Sequence, residues 1–250
     1  MEKEREENGK LFGLIGKDIS YSFSRAYFTK KFKALRLKQY RYVNFDIASI
    51  TDFPSVIKQH PDLKGLNVTI PYKEKIIPYL HGLSKAAHTI KAVNTITFTK
   101  AGLTGHNTDY YGFKRSLAPL LKPYHKKALI LGTGGAAKAV AYTLQEMDIS
   151  YRFVSRKPDF PLNYTELNEE IIRQHLLIVH CTPVGTAPET EARPPIPYPY
   201  LTSRHLLYDL VYNPAETAFL KAGKSQGATV CNGLEMLRFQ AEKAWKLWNG

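Results

Sequence analysis

The sequence predicts an α/β fold built from two domains, and three observations lead to this prediction. The chain has 250 residues, which is long for one domain and sufficient for two. Short apolar runs alternate with segments of helical periodicity, as expected for helices packed on largely parallel sheets. A glycine-rich turn in the middle of the chain lies between a predicted strand and a predicted helix, which is the arrangement of a βαβ unit.

The composition is that of an ordinary soluble protein, with 44% hydrophobic and 23% charged residues. The cysteines, Cys181 and Cys231, are too few for a disulfide framework, which favours a reducing, cytoplasmic location. The polar first ten residues lack the apolar core of a secretion signal and are expected to form a leader outside the fold. No apolar run reaches the roughly 18 residues that span a bilayer, so no membrane partner is expected.

The formal charge of +13 raises the question of a nucleic-acid partner. The densest basic run, residues 30–38, shares its segment with Phe28, Phe32 and Leu35 at helical spacing. This pattern predicts an amphipathic helix with its lysines in solvent, and no nucleic-acid-binding motif accompanies it. The sequence therefore disfavours nucleic acid as a partner, and the positive charge suits small anionic ligands instead.

The first part of the chain contains the strands expected for one α/β domain. Apolar and β-branched runs predict strands at residues 11–15, 41–45, 66–70 and 92–98, and a hairpin to a further strand at 103–106. The stretch Asn67–Lys73, NVTIPYK, ends one of these strands at a proline and places a lysine just after it. A lysine is normally solvated, so a functional role for Lys73 needs support from the rest of the sequence.

The second part contains another series of strands with helices between them. The predicted strands are residues 128–131, 151–154, 176–181, 206–210 and 228–231. A helix is predicted from the capping residues Asn213-Pro214 to Gly223, and a final helix runs from Asn232 to about Trp248. On the final helix Gln240 lies beside an apolar stripe. Helical spacing alone favours the interpretation that it is an ordinary side chain at the solvent-exposed margin of that stripe.

The most specific local motif is the turn of residues 132–137, GTGGAA, which is the G-x-G-x-x-A arrangement of a dinucleotide-binding unit. Gly132 permits the tight turn, Gly134 lets the backbone approach a pyrophosphate, and Ala137 lets the helix pack closely on the strand. The free N–H groups at the start of the helix, around Gly135 and Ala136, would bind the pyrophosphate. The motif predicts a dinucleotide cofactor.

The end of the next strand bears on the choice of dinucleotide. A carboxylate there would bind the ribose hydroxyl of NAD. This chain instead has Ser155-Arg156-Lys157, whose two cations suit the 2′-phosphate of NADP. NADP is therefore the predicted cofactor, and Asp159, slightly further along, leaves NAD open as the less favoured choice.

Read together, the motifs resemble those of shikimate dehydrogenases, the enzymes that reduce 3-dehydroshikimate in the chorismate route to aromatic amino acids. The matching blocks, in that family's order and spacing, are GKDISYSFS (16–24), NVTIPYK (67–73), AVNT (92–95), HNTD (106–109), GTGGAA (132–137), SRK (155–157), CTPVG (181–185), YDLVYNP (208–214) and NGLEMLRFQA (232–241). The sequence departs from the family pattern at Arg25, where proline is common, and at Phe160, where a second arginine is common.

The resemblance implies an architecture as well as an activity. It predicts an N-terminal α/β substrate domain of residues 1–108, completed by the C-terminal helix 233–250, and a Rossmann-type NADP-binding domain of residues 109–232. The active site is expected in the cleft between them, where shikimate or 3-dehydroshikimate binds. A monomer or a homodimer is expected.

The resemblance also implies a catalytic Lys-Asp pair, which falls here on Lys73 and Asp109. Reduction of a ketone by hydride builds negative charge on the oxygen, so a nearby proton donor lowers the barrier. Desolvation can bring the pKa of a lysine toward neutrality, while an adjacent carboxylate holds the lysine in place. These considerations agree with an acid/base role for Lys73.

Further site residues follow from the same matching. The substrate ligands implied by the resemblance are Ser22, Ser24, Thr69, Lys73, Asn94, Asp109, Tyr212 and Gln240. The cofactor-binding residues are Gly132, Gly134, Gly135, Ala136, Ser155, Arg156, Lys157, Leu210 and Gly233. Taken alone, a stretch such as SYSFS is more often a simple helix N-cap. The resemblance also supplies a reason for Gln240 at the edge of an apolar stripe, where it would point into the cleft.

Other classes of protein receive less support. The eight histidines show no metal-ligand spacing, and His180 is interpreted as structural because it ends a strand, so no metal site is predicted. Among enzymes, a quinate/shikimate dehydrogenase that uses NAD is the alternative interpretation. Among proteins without catalytic activity, the alternative is a ligand sensor with this fold. A protein that only binds its ligand does not need the proton donor Lys73.

Overall fold

The computed structural model describes residues 9–20, 22–157, 160 and 162–250. Residues 1–8 of the predicted ten-residue leader and the alternative cofactor ligand Asp159 therefore lie outside the described residues. The leader prediction was wrong at Lys10, which begins the first strand. The chain divides into two compact units. Unit 1 comprises the described residues up to Thr108 together with Ala241–Gly250, and unit 2 comprises Asp109–Gln240.

Unit 1 is a mixed sheet with helices. Its elements are β1 Lys10–Gly16, α1 Phe23–Ala34, β2 Tyr40–Asp46, α2 Phe53–Gln59, β3 Leu63–Val68, β4 Gly82–Leu83, α3 Lys85–Ile90, β5 Thr95–Thr99 and β6 Gly102–His106. The strand order is β2-β1-β3-β5-β6-β4. Strand β1 pairs in parallel with β2 and β3, whereas β5 is antiparallel to both β3 and β6. Because of these directions, the carboxyl ends of β1, β2 and β3 lie at the same edge as the start of β5.

Apolar side chains on both faces of β1 explain its central position. Leu11 and Ile15 belong to a core cluster with Phe53 and Leu66, while Phe12 joins a second cluster of mostly aromatic side chains. All of these side chains are buried. A strand covered on both faces reads as a continuous apolar run, as this one does in the sequence.

Unit 2 has a parallel sheet flanked by helices. Its elements are α4 Asp109–Leu117, β7 Lys127–Leu131, α5 Gly135–Glu146, β8 Ser150–Val154, α6 Glu169–Gln174, β9 Leu177–His180, β10 Leu206–Asp209, α7 Ala218–Ser225 and β11 Thr229–Cys231. The strand order is β11-β10-β9-β7-β8, and every pair is parallel. The predicted α/β class is confirmed, and the chain order reverses direction in the sheet between β7 and β9, which is where doubly wound sheets bind ligands.

The last helix, α8, spans Leu234–Asn249, and the boundary between the two units falls within it, between Gln240 and Ala241. In unit 1 its C-terminal part packs through Ala241, Trp245 and Trp248. In unit 2 Met236 belongs to the core cluster of β7 and β9.

Two predicted helix boundaries were wrong. The helix expected to begin at Pro214 begins at Ala218, because the hydroxyl of Thr217 accepts a hydrogen bond from the N–H of Leu220 and caps it there. Helix α1 ends at Ala34, so Leu35, expected in the buried stripe, is 50% exposed. The buried members of that stripe are Phe28 and Phe32, as predicted.

Strand β3 also differs from its prediction, since it spans Leu63–Val68 rather than residues 66–70. Thr69 and the residues after it therefore belong to a turn. Within the described ranges, none of the helices combines the length and apolarity needed to cross a membrane.

Candidate active site

The backbone that carries Lys73 is fixed on both sides. The phenol of Tyr72 is buried, and its hydroxyl donates to the carbonyl of Ile47, just after β2, at 2.7 Å. The carbonyl of Lys73 accepts a hydrogen bond from the N–H of Val93 at 2.7 Å. The side chain of Lys73 is half-buried. These bonds fix the position from which the side chain of Lys73 extends.

Thr69, a predicted substrate ligand, lies against the end of β1. Its N–H donates to the carbonyl of Ile15 at 2.9 Å. A Cβ added at Gly16 would lie only 2.5 Å from the methyl group of Thr69. The loops that follow β1 and β3 can therefore approach each other because residue 16 has no side chain.

The loop between β1 and α1 is anchored to the end of β2. The carboxylate of Asp46 accepts hydrogen bonds from the N–H groups of Asp18 and Ile19 at 2.9 and 3.1 Å. The side-chain amide of Asn44 donates to the carbonyl of Ile19 at 2.8 Å. Sequence reasoning did not identify Asn44 or Asp46, because the partners are more than twenty residues apart in the chain.

The paired serines lie at the start of α1. Ser22 is the N-cap, and its hydroxyl oxygen accepts a hydrogen bond from the N–H of Arg25 at 3.2 Å. Ser24 is buried near the phenol of Tyr42 and opposes the rise that burial causes in the pKa of that phenol, whose hydroxyl donates to the side-chain oxygen of Asn67 at 2.8 Å. The capping interpretation of Ser22 is thus correct, and a capping hydroxyl still has capacity for a ligand.

Asn94 links the start of β5 to the segment that precedes Asp109. Its side-chain amide donates to the hydroxyl of Thr108 at 3.0 Å, and its side-chain oxygen accepts from the N–H of Thr108 at 2.6 Å. Asn94 is only 3% exposed. Asp109, the next residue, begins α4 and is 6% exposed. Unit 1 thus brings Lys73, Thr69 and Asn94 to one edge of its sheet, where Val68 N–H donates to the carbonyl of Asn94 at 2.9 Å.

In unit 2 the glycine-rich turn connects β7 to α5. Gly132 has φ +108°, which only glycine adopts readily, and its N–H donates to the carbonyl of Val154 at 3.0 Å. Gly134 is the N-cap of α5, and nothing lies within 4 Å of a Cβ built there. The space beside Gly134 is therefore open at the start of α5, where the first N–H groups of a helix, here those of Gly135 and Ala136, suit a pyrophosphate.

The end of β8 places cations beside this turn. Ser155 is buried, and its hydroxyl oxygen accepts a hydrogen bond from the N–H of Lys157 at 3.0 Å. The side chains of Arg156 and Lys157 are exposed. Burial raises the pKa of Tyr164 to about 12, and the nearby charge of Arg156 opposes this rise. An exposed guanidinium next to the dinucleotide turn fits a 2′-phosphate.

Leu210 and Gly233, two predicted cofactor residues, are in direct contact. A Cβ added at Gly233 would collide with the carbonyl oxygen of Leu210, and the N–H of Gly233 donates to the carbonyl of Val211 at 3.1 Å. Tyr212 is half-buried, and this burial raises the pKa of its phenol. Gln240 is 6% exposed, and its side-chain amide donates to the carbonyl of Leu237 at 3.0 Å.

No group of three or more His, Cys, Asp or Glu side chains suited to a metal ion occurs in the part of the chain that the structure describes. Burial raises the pKa of both Cys181 and Cys231. Thiols with raised pKa values are poor nucleophiles.

Comparison with known proteins identifies the family. A profile described as the substrate binding domain of shikimate dehydrogenase matches residues 14–96. The shikimate dehydrogenase (NADP(+)) of Carboxydothermus hydrogenoformans is 37% identical to this chain, over 96% of the chain and 92% of that protein. The chain belongs to the shikimate dehydrogenase family. The resemblance found in the sequence is thereby confirmed.

Solved structures of this family share the fold. The shikimate 5-dehydrogenase of Thermus thermophilus, solved with NADP(H) and shikimate, is 32% identical with a TM-score of 0.85, covering 96% of this chain and 94% of that chain. A quinate dehydrogenase from Corynebacterium glutamicum, solved with NAD, is 27% identical with a TM-score of 0.86, covering 97% of this chain and 94% of that chain. Shikimate dehydrogenases and a quinate dehydrogenase thus have the same two-domain architecture, so the fold alone does not select the substrate.

Proposed function

We propose that this chain catalyses the reversible, NADP-dependent interconversion of 3-dehydroshikimate and shikimate, an oxidoreductase step of aromatic amino-acid biosynthesis. The observation that carries the proposal is the open turn at Gly134, at the start of α5, in a chain whose near full-length relatives are named shikimate dehydrogenase (NADP(+)). A helix start with free N–H groups and no side chain in front of it favours binding of the cofactor's pyrophosphate.

NADP, when bound, supplies the hydride acceptor for shikimate oxidation, and its reduced form supplies the hydride donor for the reverse reaction. Residues of the chain must then donate or accept the proton that accompanies the hydride. In the direction of reduction, the ketone carbon gains a hydride and the ketone oxygen gains a proton. We assign the donation of this proton to the ammonium group of Lys73, with Asp109 as the carboxylate of the acid/base pair.

The anchored position of Lys73 supports this assignment. Val93 and Tyr72 fix the backbone around the residue, so the side chain starts from a defined position, and its half-buried state limits its exposure to solvent. An exposed lysine elsewhere on the surface would lose rotamer freedom on every turnover. Proton donation in the transition state also stabilises the developing charge on the oxygen.

Substrate binding is assigned to the polar residues that the family resemblance implies. The hydroxyls of Ser22 and Ser24, at the start of α1, suit the carboxylate of the substrate. Thr69, Asn94, Asp109, Tyr212 and Gln240 supply donors and acceptors for the ring hydroxyls and the carboxylate. A polyhydroxylated acid requires many fixed partners, because each unpaired polar group costs binding free energy.

Cofactor binding is assigned to unit 2. The turn residues Gly132, Gly134, Gly135 and Ala136 would bind the pyrophosphate, and Ser155, Arg156 and Lys157 would bind the 2′-phosphate, while Leu210 and Gly233 would lie near the nicotinamide. Residues 1–108 with 233–250 are proposed as the substrate domain and residues 109–232 as the NADP domain. A cytoplasmic location and a monomer or homodimer stay predictions.

A second candidate is oxidation of quinate with NAD, which the similarity to the Corynebacterium quinate dehydrogenase favours. The exposed Arg156, which suits the 2′-phosphate that NAD lacks, argues for NADP.

The proposal is tested by steady-state assays of the purified chain with shikimate or quinate and with NADP or NAD, in all four combinations. Formation of the reduced cofactor is followed by its absorbance. The proposal predicts the highest kcat/KM for shikimate with NADP. A preference for quinate with NAD would favour the second candidate, and binding of shikimate without turnover would favour a sensor.

A further inference from the structure

A buried His–Asp pair lies at the carboxyl ends of the adjacent strands β9 and β10. His180 and Asp209 are both 0% exposed, and Nδ1 of the imidazole is 3.0 Å from Oδ1 of the carboxylate. The ring of His180 also packs against the ring of Phe219, with 5.2 Å between the centroids. A fully buried polar pair needs a defined hydrogen-bond arrangement.

The partners of Asp209 determine which ring nitrogen of His180 carries a proton. The carboxylate accepts hydrogen bonds from the N–H of Val211 at 3.0 Å and from the hydroxyl of Thr217 at 2.6 Å. A carboxylate that receives these donors acts as an acceptor toward His180 as well. Nδ1 of His180 therefore carries the hydrogen and donates it to Asp209.

The other ring nitrogen reaches the loop after β9. Nε2 of His180 is 2.5 Å from the hydroxyl oxygen of Thr182, and that oxygen accepts a hydrogen bond from the N–H of Val184 at 3.4 Å. In the neutral ring Nε2 has no hydrogen, so the hydroxyl of Thr182 donates to it. Each ring nitrogen of His180 then has one partner, and the rotamer of Thr182 is determined.

Thr182 in turn lies against the dinucleotide turn. Strands β7 and β9 pair in the register Leu131↔His180, and the N–H of Cys181 donates to the carbonyl of Leu131 at 2.9 Å. A Cβ added at Gly132 would lie 2.8 Å from Cγ2 of Thr182. The methyl group of Thr182 therefore packs directly on the first glycine of the turn.

We infer that His180 is a positioning residue for cofactor binding, because it sets the rotamer of Thr182 and thereby supports the turn at Gly132. The inference rests on the proposed NADP-dependent function. His180 touches neither Gly132 nor Gly134, so its effect on the cofactor passes through Thr182. When the hydroxyl of Thr182 loses its partner, the methyl group is free to leave Gly132, and the turn is less ordered before the cofactor binds.

Two substitutions test the hydrogen bond between His180 and Thr182, one from each side. His180→Asn places an amide near the position of Nδ1, so it retains a donor to Asp209 but does not reach Thr182. Thr182→Val keeps the shape of Thr182 and removes the hydroxyl. Both variants break the hydrogen bond between His180 and Thr182, from opposite ends, and Thr182→Val also removes the acceptor of the weaker bond from the N–H of Val184. If the bond acts as inferred, the double variant binds NADPH no more weakly than either single variant.

Thr217→Val is the matched control. It removes another buried donor to Asp209, together with the cap of α7, and the side chain of Thr217 lies near Gly185 rather than at Gly132. It is therefore expected to lower the stability of the protein without changing the affinity for NADPH. This control distinguishes support of the turn from a general loss of stability.

The experiment measures the Kd of NADPH by fluorescence titration, the KM of shikimate, and the thermal unfolding of each variant. We expect His180→Asn and Thr182→Val each to raise the Kd of NADPH about tenfold, with the KM of shikimate changed by less than about twofold. Unchanged NADPH affinity in both variants would overturn the inference, as would an equal loss of affinity in Thr217→Val.

If His180→Asn does not fold, Thr182→Val decides the question alone, because it keeps the side-chain volume. The parent protein distinguishes this inference from the proposed function. If the parent protein fails to bind NADPH, the proposed function is refuted together with the inference. If the parent protein turns over shikimate while the variants bind NADPH normally, only the inference fails.

Discussion

The indole of Trp248 occupies the space that a side chain at residue 65 would need. A Cβ added at Gly65 would collide with the indole ring, and the indole N–H donates to the carbonyl of Ile96 at 3.0 Å. The C-terminal part of α8 therefore packs on β3 and forms a hydrogen bond with β5 of unit 1. The absence of a side chain at Gly65 is what allows this contact.

Gly65→Ala should destabilise the protein by about 1–3 kcal/mol, because the methyl group must displace the partly buried indole of Trp248. Gly82→Ala is the control, since nothing lies within 4 Å of a Cβ at Gly82. Chemical denaturation measures the free energy of unfolding of both variants. Equal stabilities for Gly65→Ala and Gly82→Ala would show that Trp248 does not pack on residue 65 in solution.

Gly134→Ala tests the open turn. Gly134 has φ −75° and ψ −177°, which alanine also adopts, and the added methyl group meets no protein atom within 4 Å. The stability should therefore change little, while the methyl group stands where a pyrophosphate would approach. We expect the KM of NADP to rise about tenfold, which corresponds to about 1.4 kcal/mol of binding free energy.

Gly132→Ala is the informative comparison for that variant. Its φ of +108° and its contact with Thr182 mean that alanine should lower both the stability and the affinity for NADP. If Gly134→Ala lost stability to the same extent while binding NADP normally, the turn would have a purely structural role.

Buried histidines at the amino-terminal edge of the unit 2 sheet predict a loss of stability in acid. Burial lowers the pKa of His125 and of His205 below the ordinary value of 6.5. Nδ1 of His125 accepts a hydrogen bond from the N–H of Lys122, and Nδ1 of His205 accepts one from the N–H of Thr202. A protonated Nδ1 could not accept these bonds, so only the neutral ring fits. Above about pH 6.5 both the folded and unfolded chains have neutral rings.

As the pH falls from the ordinary pKa toward the lowered one, the unfolded chain binds protons that the folded chain does not. The free energy of unfolding should therefore decrease as the pH falls below about 6.5 toward the lowered pKa of the folded chain. Denaturation at several pH values measures this slope. His205→Gln should flatten it, whereas His88→Gln, at an exposed position, should not. A slope that is the same in both variants would contradict the account.

Arg156→Ala tests the choice of cofactor. The exposed guanidinium lies beside the dinucleotide turn, where it can form charge-assisted hydrogen bonds with a 2′-phosphate. We expect the KM of NADP to rise about tenfold or more, with the KM of NAD nearly unchanged. Arg152→Ala, at another exposed position of β8, is the control. A similar effect of Arg156→Ala on both cofactors would place the 2′-phosphate elsewhere.

The sequence predicted those parts of the fold that depend on local patterns. The strands before and after the turn at Gly132 were predicted because apolar runs and glycine positions determine them locally. The helix at Asn213-Pro214 was misplaced because the cap that operates, Thr217, is fixed by a hydrogen bond to Asp209. The prediction used the stronger local capping pattern and could not include this tertiary partner.

The candidate site shows the same limit. Lys73 and the glycine turn were found through short motifs, whereas the residues that hold them were not. Tyr72 bonds to Ile47 and His180 bonds to Asp209 over separations of 25 and 29 residues, and no local spacing encodes such pairs. His180 was interpreted as structural, and its buried position agrees with that interpretation.

The central claim is that Lys73 transfers the proton, and the kinetics of Lys73→Ala test it most directly. Lys75→Ala is the control, because Lys75 is an exposed lysine two residues along the chain. The account predicts that Lys73→Ala lowers kcat roughly 10²- to 10⁴-fold while the Kd of shikimate changes much less, since the proton is needed mainly in the transition state. A kcat for Lys73→Ala equal to that of the parent protein would contradict it.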